Sequence, residues 1–241
     1  MLHQVQCELS PLDLAARAAA SNDDCVFLDA ATCDAPGARG DPISLLAWRA
    51  NGWIRGRDWT RLGRTLDASV RGGGRPDPEL PLAPDGALIG SVDYDGGLCF
   101  GIYPDLLVYD HARRRWLAAG AGGRLLAGLA DAAAAPRDTP AVDFQPRLAR
   151  ASYLEMVRRA QEYIADGDIY QVNLAQRFRA DWPHPAFPLY QRLRAVSPAP
   201  YAAYLDQPHR RVISSSPERF LAMHGRRIET RPIKGTRPRA P

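Results

Sequence analysis

Short apolar runs, interrupted by proline and glycine, dominate residues 1 to about 115 and predict strands. The runs are VFLDAA (26–31), ISLLAW (43–48), ALIGSVDY (87–94) and DLLVYD (105–110). In this half only residues 11–20 have the pattern of a helix of any length. The stretch RGGGRPDPELP (71–81) is predicted to be a surface loop, because its glycines and prolines sustain neither regular element.

The clearest helical pattern of the chain is RASYLEMVRRAQEYIADGD, residues 150–168. Its apolar positions recur on one face, at Tyr153, Val157, Ala160 and Ile164. Ser152 and Glu155 have the spacing of a capping box, which predicts the start of the helix. Gly167 predicts its end, because glycine readily adopts the left-handed conformation that closes a helix.

The next segment, IYQVNLAQRF (169–178), alternates apolar and polar side chains and predicts a strand. Its polar face carries amides, including Gln171, rather than lysine or glutamate. Such a face suits hydrogen bonding to a specific ligand, although a merely solvated strand has the same pattern. Beyond it we expect a helix over 188–196, a strand within SPAPYAAYLD (197–206) and a hairpin within 211–233 that turns near residues 224 and 225.

These elements predict an α+β fold of antiparallel sheets covered by helices. The Ala- and Gly-rich stretch 120–143 is expected to form a short helix followed by a linker. We therefore expect two regions, a strand-rich region over residues 1–143 and a second region over 144–241.

Composition excludes several classes of protein. A chain of 241 residues with 46% hydrophobic residues can bury a sizeable core, so a disordered protein is excluded. With no apolar run of about 18 residues and no signal peptide pattern, we expect a cytoplasmic protein without a membrane span. The net charge is +4, but the basic residues are scattered, so nucleic-acid binding is not expected. The four cysteines show no metal-ligand spacing and are expected to be reduced thiols.

The chain has one lysine, Lys234, among its 31 basic residues. A lysine amine can lose its proton and become a nucleophile, which arginine cannot do. Neighbouring arginines favour the neutral amine and attract an anionic substrate, and Gly235 leaves the backbone open to a ligand. The alternative interpretation is that Lys234 is retained by chance on a solvated surface.

Glu218, in the sequence SSSPERF, is a candidate general acid. A carboxyl group that follows an apolar strand and a proline can be held partly desolvated, which suits proton donation at neutral pH. The alternative is a salt bridge from Glu218 to Arg219 or Arg231.

Four segments then identify a family by their order and gaps: GDIYQVNLAQRF, SPAPYAAYLD, ISSSPERFL and ETRPIKGTRPR. Over residues 150–239 the chain resembles the chorismate-utilising enzymes, which include the component I subunits of anthranilate synthase and aminodeoxychorismate synthase. GALIGSVDYD and FGIYPDLLVYDH extend the resemblance more weakly into the N-terminal half. The resemblance implies a layered α/β/β/α sandwich, of which this chain would be the N-terminal portion.

Within that family, Pro-Ile-Lys-Gly-Thr is typical of the enzymes that make 4-amino-4-deoxychorismate, an early step towards 4-aminobenzoate and folate. Residues 232–236 have this motif, with Lys234 at the position that distinguishes the activities. The resemblance implies that Lys234 is the nucleophile and Glu218 the general acid. It also implies that Gln171, Gly235 and Thr236 contact chorismate, and that ammonia rather than water reacts, because Gln171 stands where water-using relatives have a general-base lysine.

The resemblance further implies a glutamine amidotransferase subunit as the source of ammonia, and Mg²⁺ in the complete enzyme. The glutamates that bind magnesium in the family lie downstream of residue 241, so we expect the isolated chain to be inactive. The family's tryptophan pocket would match residues 27–30 and 197–201, where Asp29 and Ala30 depart from the pattern and disfavour binding. Anthranilate synthase component I, disfavoured by Lys234, and a non-catalytic remnant that binds chorismate or an amino acid stay open as alternatives.

Overall fold

The computed structural model describes residues 2–21, 23–30, 43–72, 86–129 and 141–232. The helices within these residues are α1 (Pro11–Ser21), α2 (Trp59–Gly72), α3 (Gly122–Ala127), α4 (Arg150–Ala165) and α5 (Ala186–Val196). The strands of the first half are β1 (His3–Val5), β2 (Val26–Asp29), β3 (Ile43–Ala47), β4 (Trp53–Gly56), β5 (Ala87–Val92), β6 (Leu98–Tyr103), β7 (Leu106–Asp110) and β8 (Arg115–Ala119). The strands that follow are β9 (Gln145–Pro146), β10 (Phe178–Arg179), β11 (Tyr201–Gln207), β12 (Arg210–Ser216), β13 (Arg219–His224) and β14 (Arg227–Arg231).

The chain divides into two compact units. Unit 1 comprises residues 1–137 and 186–241, and unit 2 comprises residues 138–185. In unit 1 an antiparallel sheet has the order β1-β8-β7-β3-β2-β11-β12, and a smaller sheet has the order β4-β6-β5. The larger sheet crosses the expected boundary between residues 143 and 144, because Phe27 of β2 pairs with Tyr204 of β11. The division into 1–143 and 144–241 therefore does not separate two sheets.

Alternation of side chains along the strands explains how unit 1 is layered. On one face of the larger sheet, Phe27 and Leu107 pack with residues of α1 and α5. On its other face, Val26 and Val108 pack against Ile89 of the smaller sheet. The far side of the smaller sheet is covered by α2, whose Leu62 contacts the cluster around Ile54 and Leu98. The predicted antiparallel sheets covered by helices are confirmed, in the order helix, sheet, sheet, helix.

Helix α2 was not expected from the sequence, which indicated only residues 11–20 as a helix in this half. The Asp58 carboxylate accepts a hydrogen bond from the Arg61 backbone N–H at 2.8 Å and so caps the first turn of the helix. Leu62, only 8% exposed, anchors the helix on the sheet. Of the predicted loop 71–81, residues 73–81 lie outside the described residues.

Unit 2 contains α4 and the short β9–β10 pair. The helix begins after Ala149, with no side-chain cap, so the capping box predicted at Ser152 and Glu155 is wrong. Gly167 follows the helix with a φ of 82°, as predicted. The predicted strand over 169–178 is also wrong: only Phe178 and Arg179 pair, with β9, and the preceding residues are not in a strand.

Candidate active site

Glu218 lies between the end of β12 and the start of β13. Its backbone is fixed by Ser216, whose Oγ donates to the Glu218 carbonyl at 3.1 Å and accepts from the Glu218 N–H at 3.4 Å. Its side chain is exposed, which differs from the partial burial that the sequence predicted. The local turn therefore holds the backbone of the candidate acid while its carboxylate faces outward.

The β13–β14 hairpin starts immediately after Glu218. Arg219 pairs with Arg231 at its open end, and Met223 pairs with Ile228 near the turn. Gly225 adopts a φ of 57° in that turn, which confirms the predicted hairpin and its glycine. The register shifts between Arg219 and Ala222, so the open end is separated from the regular ladder by a bulge.

The two arginines at the open end are paired with a carboxylate other than Glu218. Arg219 Nη1 donates to Glu229 Oε1 at 2.9 Å, and Arg231 Nε lies 2.6 Å from the same oxygen. The hydrogen bond from Arg231, followed by the charges of the arginines, lowers the pKa of Glu229 below its ordinary value. The alternative interpretation of Glu218 predicted a salt bridge between Glu218 and these arginines. The arginines do form salt bridges, but with Glu229 instead of Glu218.

Tyr201, at the start of β11, completes this cluster. The Arg219 Cζ lies 4.9 Å from the centre of the Tyr201 ring, and Arg231 Nη1 donates to the Tyr201 Oη at 3.4 Å. Sequence reasoning missed both Tyr201 and Glu229 as part of the site. A signal was present for Glu229, because residues two apart on a strand share a face, and Glu229 and Arg231 have that spacing.

The remaining predicted site residues fall into two groups. Lys234, Gly235 and Thr236 lie outside the described residues, which end at Pro232. Gln171 belongs to unit 2, where its side chain is exposed in a segment that is not a strand. The roles of these four residues stay predictions.

In the part of the chain that the structure describes, no three His, Cys, Asp or Glu side chains are placed to hold a metal ion. These residues do not fit a magnesium site. Among the same residues, no helix is long and apolar enough to cross a membrane.

Residues 27–30, where the resemblance placed an amino-acid pocket, contain a buried ion pair. The Asp29 carboxylate, 3% exposed as a residue, accepts hydrogen bonds from Tyr190 Oη at 2.7 Å and from Arg194 Nε at 2.5 Å. Burial, followed by the charge of Asp29, raises the pKa of Tyr190. The Asp29 side chain is therefore engaged by α5.

Known proteins resemble this chain in both sequence and fold. The family model for chorismate binding enzymes matches residues 90–241, more than half of the chain. This chain belongs to the chorismate binding enzyme family. The fold agrees: anthranilate synthase component I from Streptococcus pneumoniae TIGR4 superposes with a TM-score of 0.61 over 75% of this chain and 51% of that one, at 22% identity.

Curated relatives of this chorismate binding enzyme include two kinds of synthase subunit. Aminodeoxychorismate synthase component 1 of Salmonella typhimurium is 32% identical over 200 residues, 68% of this chain and 41% of the relative. Anthranilate synthase component 1 of Thermus thermophilus is 50% identical over 96 residues, 40% of this chain and 21% of the relative. The chain spans less than half the length of either relative, and the two names leave the specific member of the family undecided.

Proposed function

We propose that this chorismate binding enzyme aminates chorismate to 4-amino-4-deoxychorismate, as the component I subunit of an aminodeoxychorismate synthase. The observation that carries the proposal is the chain's single lysine, at the third position of Pro-Ile-Lys-Gly-Thr over residues 232–236. The relatives named aminodeoxychorismate synthase component 1, from Salmonella typhimurium and Escherichia coli, support it with 32% and 37% identity.

In the proposed reaction the neutral Lys234 amine attacks ring carbon 2 of chorismate. Both ring double bonds shift by one position as the carbon 4 hydroxyl leaves, and Glu218 gives that hydroxyl the proton that makes it water. Ammonia then attacks carbon 4, both double bonds return to their original positions and the lysine amine is expelled. The net change replaces hydroxyl by amine at one carbon, and the proton released by ammonia restores the acid.

The exposed Glu218 carboxylate is accessible to a substrate that enters from solvent. Gln171 supports ammonia over water as the second nucleophile, since an amide cannot take a proton from water.

The proposal extends to a partner and a cofactor. Ammonia would come from a glutamine amidotransferase subunit, and the words "component 1" in the relatives' names are consistent with a second component there. Mg²⁺ would hold the substrate carboxylate in the complete enzyme, with ligands from outside the described residues. We also propose a cytoplasmic location.

Anthranilate synthesis is the second candidate, because the Thermus thermophilus relative reaches 50% identity over 96 residues. Both activities begin with chorismate and ammonia and differ in the carbon that receives the amine. The identity of the product therefore decides between them.

The test incubates the protein with chorismate, ammonium and Mg²⁺ and separates the products by chromatography. Residues 1–241 are assayed alone and joined to the part of the Salmonella typhimurium relative that follows its matched region. We expect only the joined protein to be active and to yield 4-amino-4-deoxychorismate. Formation of anthranilate instead would favour the second candidate, and absence of both products in the joined protein would contradict catalysis.

Two substitutions test the nucleophile within that assay. Lys234→Ala should abolish 4-amino-4-deoxychorismate formation and allow some anthranilate to form. Lys234→Arg should also fail to form 4-amino-4-deoxychorismate, because the guanidinium group stays protonated. Glu162→Gln, an exposed change on α4, is the matched control and should retain activity. Full turnover by Lys234→Arg would contradict the covalent route.

A further inference from the structure

Two positive charges face each other at the open end of the β13–β14 hairpin. Arg219 and Arg231 are direct cross-strand partners. Like charges in this register destabilise the pairing of two strands. The bulge beyond Arg219 weakens the ladder at the same place, so backbone hydrogen bonds alone hold this end poorly.

A single carboxylate oxygen contacts both guanidinium groups and offsets part of their repulsion. Glu229 Oε1 lies within 2.9 Å of Arg219 Nη1 and within 2.6 Å of Arg231 Nε. The arginines are also held by Tyr201, whose ring lies against Arg219 and whose hydroxyl accepts from Arg231. Glu229 is thus the one described carboxylate that bridges the two strands at this end.

An isolated ion pair on a protein surface contributes little to stability, because water screens it. This cluster differs in two respects. The Arg219 side chain is only 10% exposed, and its guanidinium is shared between a carboxylate and an aromatic ring. A network of several partners around a nearly buried guanidinium retains a fixed geometry that a lone surface pair does not.

The position of the cluster gives it a consequence for the reaction. Arg219 directly follows Glu218, and Arg231 directly precedes Pro232, the first residue of the Pro-Ile-Lys-Gly-Thr motif. We propose that Glu229 is a positioning residue that holds Arg219 and Arg231 together and so fixes the spacing of the two segments that carry the acid and the nucleophile. This inference rests on the proposed function for the roles of Glu218 and Lys234. The clamp, by which we mean the contacts of Glu229 with Arg219 and Arg231, rests on the described structure.

The clamp is tested in residues 1–241 by amide hydrogen exchange, which needs no catalytic activity. In Glu229→Gln the amides of Arg219 and Arg231 should exchange about tenfold faster, while those of Met223 and Ile228 stay within about twofold of the wild type. Glu229→Asp keeps the charge and should recover part of the protection. Glu162→Gln should change neither pair. Unchanged exchange at the open end, or equal acceleration along the whole hairpin, would overturn the clamp.

The positioning role is tested by zero-length carbodiimide coupling followed by mass spectrometry. Because Lys234 is the only lysine, cross-links from a side-chain amine report which carboxylates reach that residue. We expect a Glu218–Lys234 cross-link in the wild type, at least about fivefold less of it in Glu229→Gln, and partial recovery in Glu229→Asp, at equal secondary structure content. An equal yield in Glu229→Gln would overturn the positioning role. A wild type without this cross-link would contradict the proposed pairing of acid and nucleophile, and the exchange rates would still decide the clamp.

Discussion

The Asp29 carboxylate lies against the Arg194 guanidinium, and this contact joins the end of β2 to α5 across 165 positions of sequence. The Asp29 side chain is fully buried, whereas that of Arg194 is 27% exposed. A buried carboxylate loses its hydration, and here Arg194 and Tyr190 replace it at Oδ2. The pair thus fixes α5 on the larger sheet.

Arg194→Ala should therefore lower the free energy of unfolding by about 3 kcal/mol, because it leaves the Asp29 charge buried with Tyr190 alone. Urea denaturation followed by circular dichroism measures the change. Arg192→Ala, an exposed change on the same helix, is the control and should cost less than about 1 kcal/mol. Equal losses in the two variants would show that the ion pair adds nothing to stability.

Replacement of glycine by alanine should have opposite effects on stability at Gly90 and at Gly63. A Cβ at Gly90 would lie 2.0 Å from the Cys99 carbonyl oxygen, whereas a Cβ at Gly63, in α2, would meet nothing within 4 Å. Gly90→Ala should destabilise the protein by about 2 kcal/mol or more, since β5 and β6 must separate. Gly63→Ala should stabilise it by about 0.5–1 kcal/mol, the difference in helix propensity. Thermal unfolding of the two variants tests the sign of each effect.

Short apolar runs predicted the strands of unit 1 well because both faces of its larger sheet are covered. Segments such as 43–48 and 105–110 are apolar on both faces for that reason. Alternation of apolar and polar residues failed as a signal over 169–178, where only two residues find a partner strand. A strand forms only where a second strand can pair with it, and the sequence pattern of one segment does not identify that partner strand.

The candidate site was predictable as far as its chemistry depends on residue type. Lys234 and Glu218 stand out by the reactions that their side chains permit. The cluster of Tyr201, Arg219 and Glu229 was missed because it depends on the register of β13 against β14 and on β11, which the sequence does not state. Cross-strand pairing, rather than composition, assigns those partners.

Glu218→Gln should slow the proposed amination while chorismate binding is preserved, because the amide is nearly isosteric and cannot donate the acidic proton. The turnover number of the joined protein should fall by about 10²–10⁴, the usual contribution of a general acid. Steady-state kinetics measure it, with Glu162→Gln as the matched loss of one exposed carboxylate. An unchanged turnover number with a raised Michaelis constant would assign Glu218 to binding instead.

Asp24 should make stability depend on pH. Burial, followed by the charge of Asp23, raises its pKa, so the folded state binds a proton more readily than the unfolded state. The contribution of Asp24 to stability is then favourable at pH values below the pKa of Asp24 in the unfolded state. It is lost as the pH rises through the higher pKa of Asp24 in the folded state. Asp24→Asn should stabilise the protein by a few tenths of a kcal/mol at neutral pH, helped by a φ of 60° that asparagine tolerates well, and the gain should shrink in acid. Urea denaturation at neutral and at acidic pH checks this, and a gain that grows in acid would contradict it.

The face of the hairpin opposite Glu229 is apolar and exposed. Successive strand residues point to opposite faces, so Ile228 and its partner Met223 lie away from the arginine cluster, where they are 64% and 72% exposed. Phe220, 88% exposed, adds the largest apolar side chain of β13. Among the described residues, β13 and β14 form a sheet of two strands. A two-stranded ribbon with such a face favours association, because contact with a second copy removes apolar surface from water. We therefore expect residues 1–241 to associate in a concentration-dependent manner in light scattering.

Replacing Phe220, Met223 and Ile228 together by threonine should shift the protein towards the monomer, because threonine keeps strand propensity and removes most of the apolar surface. The matched control replaces three exposed apolar side chains elsewhere in unit 1 by threonine and should leave association unchanged. These side chains, each 45–50% exposed, are Trp59, Leu66 and Val92. A monodisperse wild type, or an equal shift in the control, would show that the hairpin face is not the cause.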